Sequence, residues 1–244
     1  MKTKNRVAIV TGGGHRLGRQ IALALGRNGF SVVVNYHSSK EGATSTVKEL
    51  KKMGVTAISI EADISKSREV NRMVSKTIST FHKVDLLVNN SAIFIHSPLA
   101  ETSEKIWNNT ININLKGIFL CSQAVSKYML KQKKGKIINI ASLGGIQAWT
   151  QHVPYSVSKA GVIMLTKVLA KSLAPNILVN AIAPGTIEIA GEEDPASVKL
   201  PTKQIPLKRY GKPTDITDMM VFLATKAEYI TGQVFVIDGG RSIQ

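Results

Sequence analysis

One cysteine, Cys121, stands among 244 residues, so no disulfide can form within the chain. That suits a reducing compartment, here expected to be the cytoplasm. Cys121 lies in the apolar stretch Ile118-Phe119-Leu120-Cys121 and reads as a core residue. Long apolar runs are missing too. None approaches the ~18 residues needed to span a bilayer, so no membrane partner is expected. After Met1-Lys2-Thr3-Lys4-Asn5-Arg6 the chain turns directly into the strand-like Val7-Ala8-Ile9-Val10, without the longer apolar stretch of a signal peptide. Aromatics are few, at 5%, and there is no basic arm and no nucleic-acid-binding signature, which argues against a nucleic-acid partner. No metal site is expected. Acids are the last shortage: 16 Asp and Glu face 32 Lys and Arg, a formal net charge of +16. Such an excess attracts anions. The lysines are nevertheless scattered, with short clusters only at Lys51-Lys52 and Lys131-Gln132-Lys133-Lys134, and a solvated basic surface is the simplest reading.

What is present is a regular alternation. Strand-like runs cover Val7–Thr11, Ser31–Tyr36, Ala57–Ala62, Leu86–Asn89, Lys136–Ala141, Leu178–Ile182 and Val234–Ile237. Helical periodicity fits 16–28, 40–53, 67–81, 103–131, 153–173 and 213–225. Near-continuous apolar strands between amphipathic helices predict an α/β fold with a parallel sheet covered on both faces. No repeat or linker divides the chain, so 1–244 is expected to be a single domain. The segment 184–207 breaks the rhythm with Pro184, Pro195, Pro201 and Pro206 and with Glu188, Glu192, Glu193 and Asp194. Long segments of this kind are candidate lids.

Two places carry chemistry. Thr11-Gly12-Gly13-Gly14-His15-Arg16-Leu17-Gly18 joins the first strand to the first helix. A doubly wound fold brings a pyrophosphate to that helix N-terminus, and glycines let backbone N–H groups approach it. At the end of the second strand, where a bare ribose 2′-OH usually meets an acid, stands Tyr36-His37-Ser38-Ser39. With His15 and Arg16 these residues offer cations and hydroxyls to a 2′-phosphate, so NADP(H) is expected over NAD(H). The second place is Tyr155-Ser156-Val157-Ser158-Lys159, with Ser142 thirteen residues upstream. Residues four apart share a helix face, so Lys159 sits one turn from the Tyr155 ring. An ammonium there lowers the phenol pKa from about 10 and makes Tyr155 useful as a general acid or base.

Together these residues resemble the short-chain dehydrogenase/reductase family over essentially the whole chain. The family's glycine motif matches Gly12 and Gly18, and its adenine-contacting acid matches Asp63 in Ala62-Asp63-Ile64. Its Asn-Asn-Ala-Gly motif appears as Asn89-Asn90-Ser91-Ala92, and its Pro-Gly motif beside the nicotinamide matches Pro184-Gly185-Thr186. The catalytic set falls on Asn114, Ser142, Tyr155 and Lys159. The resemblance implies a single Rossmann-type doubly wound sheet of strand order 3-2-1-4-5-6-7. It also implies hydride transfer between a nicotinamide and a small-molecule carbonyl. In that scheme Tyr155 donates the proton, Ser142 holds the carbonyl oxygen, Lys159 tunes Tyr155 and binds the nicotinamide ribose, and Asn114 holds a relay water. A homotetramer or homodimer is implied, with helices 103–131 and 153–173 at one interface.

Within the family the chain resembles 3-oxoacyl-[acyl-carrier-protein] reductases and, in its cofactor motif, pteridine reductases. Arg16 in place of a glycine, the Tyr36-His37 pair and Phe94 are similar to the latter, where an aromatic stacks on a flat pterin. Ser142 stands where those enzymes carry an acid, which favours a ketone oxygen. Lys133 falls on one basic anchor of the carrier-protein branch, whereas Ala174-Pro175-Asn176-Ile177 has no cation at the second. A pteridine or dihydrofolate reductase is therefore the alternative, and a non-catalytic NADP-binding sensor a further one.

Overall fold

The computed structural model describes residues 6–191 and 201–243. The expected acidic part of the lid, Glu192, Glu193 and Asp194, lies outside the described residues. Seven parallel strands form one sheet: β1 (Arg6–Val10), β2 (Phe30–Tyr36), β3 (Ala57–Glu61), β4 (Leu86–Asn89), β5 (Gly135–Ile140), β6 (Ile177–Pro184) and β7 (Val234–Ile237). Their order is β3-β2-β1-β4-β5-β6-β7, as expected.

The strands read as continuous apolar runs because both faces are covered. All seven residues of β2 are buried. Side chains alternate across a strand, so Ala8 and Val10 face one layer and Ile9 the other. The first layer is α1 (Arg16–Arg27), α2 (Lys40–Lys52) and α7 (Pro213–Thr225), which contribute Ile21, Leu25, Leu50, Ile216 and Met220. The second layer is α3 (Ser67–Phe81), α5 (Gly117–Lys131) and α6 (Val153–Leu173), with Val70, Val74, Val125 and Met129 at the core. Each such buried side chain contributes about 1.5–3 kcal/mol. Cys121 belongs to this second layer, and burial pushes its thiol up to about 12, so it stays a thiol.

Strand and helix positions agree with the sequence reading to within a residue or two, β6 running on to Pro184, whose Cα pairs with Ile237, and there is one exception. Residues 103–131 are not one α-helix. Helix α4 (Glu104–Ile111) passes through a π-helical turn (Asn112–Lys116) before α5 begins. Such turns insert one residue into the helical ladder, often at functional sites, and this one holds Asn114.

The topology fixes where a ligand can enter. From β1 the chain winds outward to β2 and β3, then returns to β4 on the other side of β1. The loops leaving β1 and β4 therefore diverge and open a crevice at the carboxyl edge of the sheet. Among the described residues no helix is long and apolar enough to cross a membrane.

Candidate active site

A single cleft of about 660 Å³ runs along that carboxyl edge. Each strand contributes the residues that follow it: Gly12 and His15 to Gly18 after β1, His37 to Ser39 after β2, and Ala62 to Ile64 after β3. Asn90 to Phe94 follow β4, Ala141 and Ser142 follow β5, Gly185 to Ile187 follow β6, and Arg241 follows β7. Helix α6 adds Tyr155 and Lys159.

At the β1 end the loop is held by polar pins. Thr11 Oγ1 accepts from the backbone N–H groups of Asn90 and Ser91 at 2.9 and 3.0 Å, and Asn90 Nδ2 donates to Thr11 O at 3.0 Å. Gly12 has φ +62°, the left-handed region that glycine tolerates, and a Cβ on Gly18 would run into the Gly12 carbonyl. Arg16 also has a positive φ, 47°, so the backbone keeps a shape that glycine would favour while the chain places a cation there. Helix α1 carries no acid in its first turn, which leaves its N-terminal field open to an anion. Beyond β2, His37, Ser38 and Ser39 line the cleft without a carboxylate among them. Burial works against ionisation of Asp63, yet hydrogen bonds from the Ser65 hydroxyl and N–H (2.7 and 2.9 Å) and from Lys66 hold its carboxyl below the usual range.

At the other end, Ser142 leaves β5 in extended conformation, and its Oγ accepts from Gly144 N–H at 3.0 Å. That bond uses a lone pair and leaves the hydroxyl proton to donate. Lys159 is 2% exposed. Its Nζ donates to Ile140 O at 2.7 Å and lies 5.7 Å from the centre of the Tyr155 ring. Burial pushes the Lys159 pKa down to about 8. Around Tyr155 stand further rings. Phe94 meets it edge-on at 4.6 Å, Trp149 lies nearly parallel at 6.2 Å, and His152 stacks on Phe94 at 4.1 Å. His152 Nδ1 is 2.9 Å from Ile95 O, which makes Nδ1 the protonated nitrogen.

Most residues expected from sequence line this one cleft: Gly12, His15, Arg16, Leu17, Gly18, His37, Ser38, Ser39, Asp63, Ile64, Asn90, Ser91, Ala92, Phe94, Ser142, Tyr155, Lys159, Pro184, Gly185 and Thr186. Two do not. Tyr36 was expected at the cofactor, but its ring is buried in the core between sheet and helices, because β2 is covered on both faces to its last residue. Asn114 is fully buried in the π-turn. Its Nδ2 donates to Ile93 O (2.9 Å) and Ser158 Oγ (3.2 Å), and its Oδ1 accepts from Ile93 N–H (2.8 Å). The side chain is thus spent on fastening the loop after β4 to α6. The sequence reading also missed residues. Asn35, Trp149, Gln151, His152 and Arg241 all line the cleft, and no spacing rule marks them. Among the described residues no group of His, Cys, Asp or Glu is arranged to hold a metal ion.

Comparison with known proteins agrees with this architecture. A family model described as "Enoyl-(Acyl carrier protein) reductase" matches residues 14–242. The 3-oxoacyl-[acyl-carrier-protein] reductase FabG of Staphylococcus epidermidis is 43% identical over 97% of this chain and 98% of its own length. A 3-oxoacyl-[acyl-carrier-protein] reductase of Synechocystis is 42% identical over 96% of both chains. Among solved structures, a putative short-chain alcohol dehydrogenase of Sinorhizobium meliloti superposes with TM-score 0.91 at 32% identity, covering 98% of this chain and 97% of that one. An acetoin dehydrogenase from Enterobacter cloacae gives TM-score 0.91 at 32% identity, covering 99% and 97%.

Proposed function

This chain belongs to the short-chain dehydrogenase/reductase family, and on that premise we propose that it is an NADPH-dependent reductase of a 3-oxoacyl thioester or a closely related ketone, working in the cytoplasm. The observation that carries the reading is Lys159, buried one helical turn from Tyr155, with Ser142 on the same cleft wall. The chemistry of the residues fits the dinucleotide at its pyrophosphate and at its adenosine ribose. Glycine backbone and an acid-free helix N-terminus suit a pyrophosphate, and Arg16, His37, Ser38 and Ser39 suit a 2′-phosphate. When bound, the nicotinamide supplies the hydride.

The protein's own residues supply the rest. The Ser142 hydroxyl proton, left over from its bond with Gly144, holds the carbonyl oxygen. Tyr155 O–H gives its proton to that oxygen as it becomes an alkoxide. The Lys159 ammonium favours the phenolate left behind and so makes the phenol a better acid. The Ile140 carbonyl keeps the ammonium pointed into the cleft. Asn114 acts as a positioning residue, fixing the loop after β4 and, through Ser158, the start of α6. Of the segment 184–207, Thr186, Ile187 and Ile189 border the substrate end of the cleft. Phe119 on α5 and Val157, Met164 and Val168 on α6 are 41–59% exposed, which supports a homodimer or homotetramer built on these helices.

The test is NADPH oxidation by the purified chain against acetoacetyl thioester, simple diketones and dihydrobiopterin, with NADH in parallel. The expected result is turnover of the thioester or a diketone with NADPH preferred. Turnover of dihydrobiopterin alone would move the reading to a pteridine reductase. An NADH preference would remove the 2′-phosphate assignment. Tight NADPH binding without turnover would make the protein a sensor.

A further inference from the structure

The mechanism uses Ser142, Tyr155 and Lys159 and leaves the wall formed by Arg241 and Trp149 without a task. Donors outnumber acceptors there. A guanidinium has five N–H groups, no acceptor, and a charge it does not lose. Arg241 Nη1 reaches Thr186 Oγ1 at 3.3 Å, and among the described residues the group forms no ion pair. The neighbouring acid, Asp238, spends Oδ1 on Gly240 N–H at 2.9 Å and Oδ2 on Ser242 N–H at 2.6 Å. Burial pulls the Arg241 pKa below its ordinary value, against the opposing charge of Asp238. Below the guanidinium lies the Trp149 ring, 5.4 Å from Arg241 Cζ. The indole Nε1–H is buried and has no acceptor among the described residues.

This corner is built in place. Gly144 packs so closely on Trp149 that a Cβ there would lie 2.7 Å from the indole, and Gln147 Nε2 donates to the Arg241 carbonyl at 3.3 Å. These contacts join the turn after β7 to the loop that leads into α6. The same indole touches both the guanidinium and, in parallel stacking at 6.2 Å, the Tyr155 ring. A half-buried cation whose neighbouring carboxylate is spent on backbone N–H groups favours an acceptor oxygen, anionic or strongly polarised, over water.

We infer that Arg241, on the cleft that also holds Ser142 and Tyr155, anchors a second acceptor oxygen of the substrate whose carbonyl is reduced at Tyr155, so that the substrate class is a dicarbonyl. The oxygen is either the carboxylate of an oxo acid or the acyl oxygen of an oxoacyl thioester. This rests on the reductase reading and narrows it.

The test compares the wild-type full chain with Arg241→Met, which keeps an apolar stem over Trp149, and with Arg241→Lys, which keeps the charge. The substrates are acetoacetate, acetoacetyl-N-acetylcysteamine and cyclohexanone, and NADPH binding is titrated by fluorescence. A lost charge-assisted bond predicts that Arg241→Met lowers kcat/KM for the preferred dicarbonyl by about 10–100-fold, mostly through KM. Cyclohexanone turnover and the NADPH Kd stay within about twofold, and Arg241→Lys recovers part of the loss. Wild type that prefers acetoacetate identifies the carboxylate as occupant, and one that prefers the thioester identifies the acyl oxygen. Wild type that ignores cyclohexanone altogether supports the proposal equally, since it then requires the second oxygen. An Arg241→Met variant that loses cyclohexanone turnover to the same extent, weakens NADPH, or leaves the dicarbonyls unaffected would overturn it. Wild type silent with every carbonyl despite binding NADPH sinks the reductase reading, and this inference with it.

Discussion

The two ends of the cleft are built differently. The end at β1 and β2 is mainly backbone, with glycines, a helix N-terminus and short loops pinned by Thr11 and Asn90, to which Arg16, His37, Ser38 and Ser39 add polar side chains. The end at β5 to β7 is made of side chains, with the rings of Phe94, Trp149, His152 and Tyr155 packed against one another and Arg241 laid over one of them. Backbone recognition suits a ligand that is always the same, because N–H groups offer one geometry. Side-chain recognition suits a ligand that differs between relatives, because rings and charges are exchanged one at a time. On the proposed function, the first end takes the cofactor and the second the substrate.

If the ends are separable, a change at one should leave the other intact. The largest effect is expected from Tyr155→Phe, which deletes a single oxygen and keeps the ring against Phe94 and Trp149. Turnover should fall by about 10²–10⁴-fold, the range for a lost general acid, while the NADPH Kd moves less than about twofold. Single-turnover reduction and a fluorescence titration of NADPH measure the two quantities. Retention of more than a few per cent of kcat would show that another group gives the proton. A parallel loss of NADPH binding would show that the two ends are one unit.

The same division explains what could be read from sequence. The cofactor end lies in contiguous stretches, so Gly12 to Gly18 and His37 to Ser39 were legible as words in the chain. Tyr155 and Lys159 were legible because a helix brings i and i+4 together. Arg241 was not, since it meets Trp149 across more than ninety residues and only the folded sheet brings the turn after β7 to the loop after β5, across β6. The burial of Tyr36 was not legible, because adjacency to His37 says nothing about which side of a strand faces the cleft. The surroundings of Asn114 were not legible either, because a π-turn sets them. Helical periodicity runs through 103–131, and no residue pattern announces the extra residue that turns Asn114 inward.

An intermediate effect is expected where the ends meet. Lys159 borders both, and burial puts its pKa at about 8 rather than near 10.5. Reduction takes a proton from Tyr155, and the Lys159 ammonium favours its departure. The form with Lys159 protonated is the active one, so kcat/KM for reduction should be level below about pH 8. It should then fall about tenfold per unit as the ammonium loses its proton. The oxidation direction should show the opposite slope. A rate profile of the wild type in both directions tests this, and a reductive limb that stays level well past that pH breaks the link between Lys159 and Tyr155.

The smallest effect is expected from Arg16→Gly, and it probes the backbone end alone. Arg16 holds a φ of 47°, which costs a residue with a Cβ about 1 kcal/mol and glycine almost nothing. The substitution therefore relieves local strain, although glycine also loses more entropy on folding, and thermal unfolding should shift by no more than a few degrees. Removing the cation should act on the 2′-phosphate. The ratio of kcat/KM for NADPH over NADH should drop about 3–30-fold, as for one partly exposed charge-assisted contact, while KM for the carbonyl substrate stays constant. A change in carbonyl KM with no change in cofactor ratio would place Arg16 at the substrate instead. The boundary between the two ends would then run through the glycine loop itself rather than between β4 and β5.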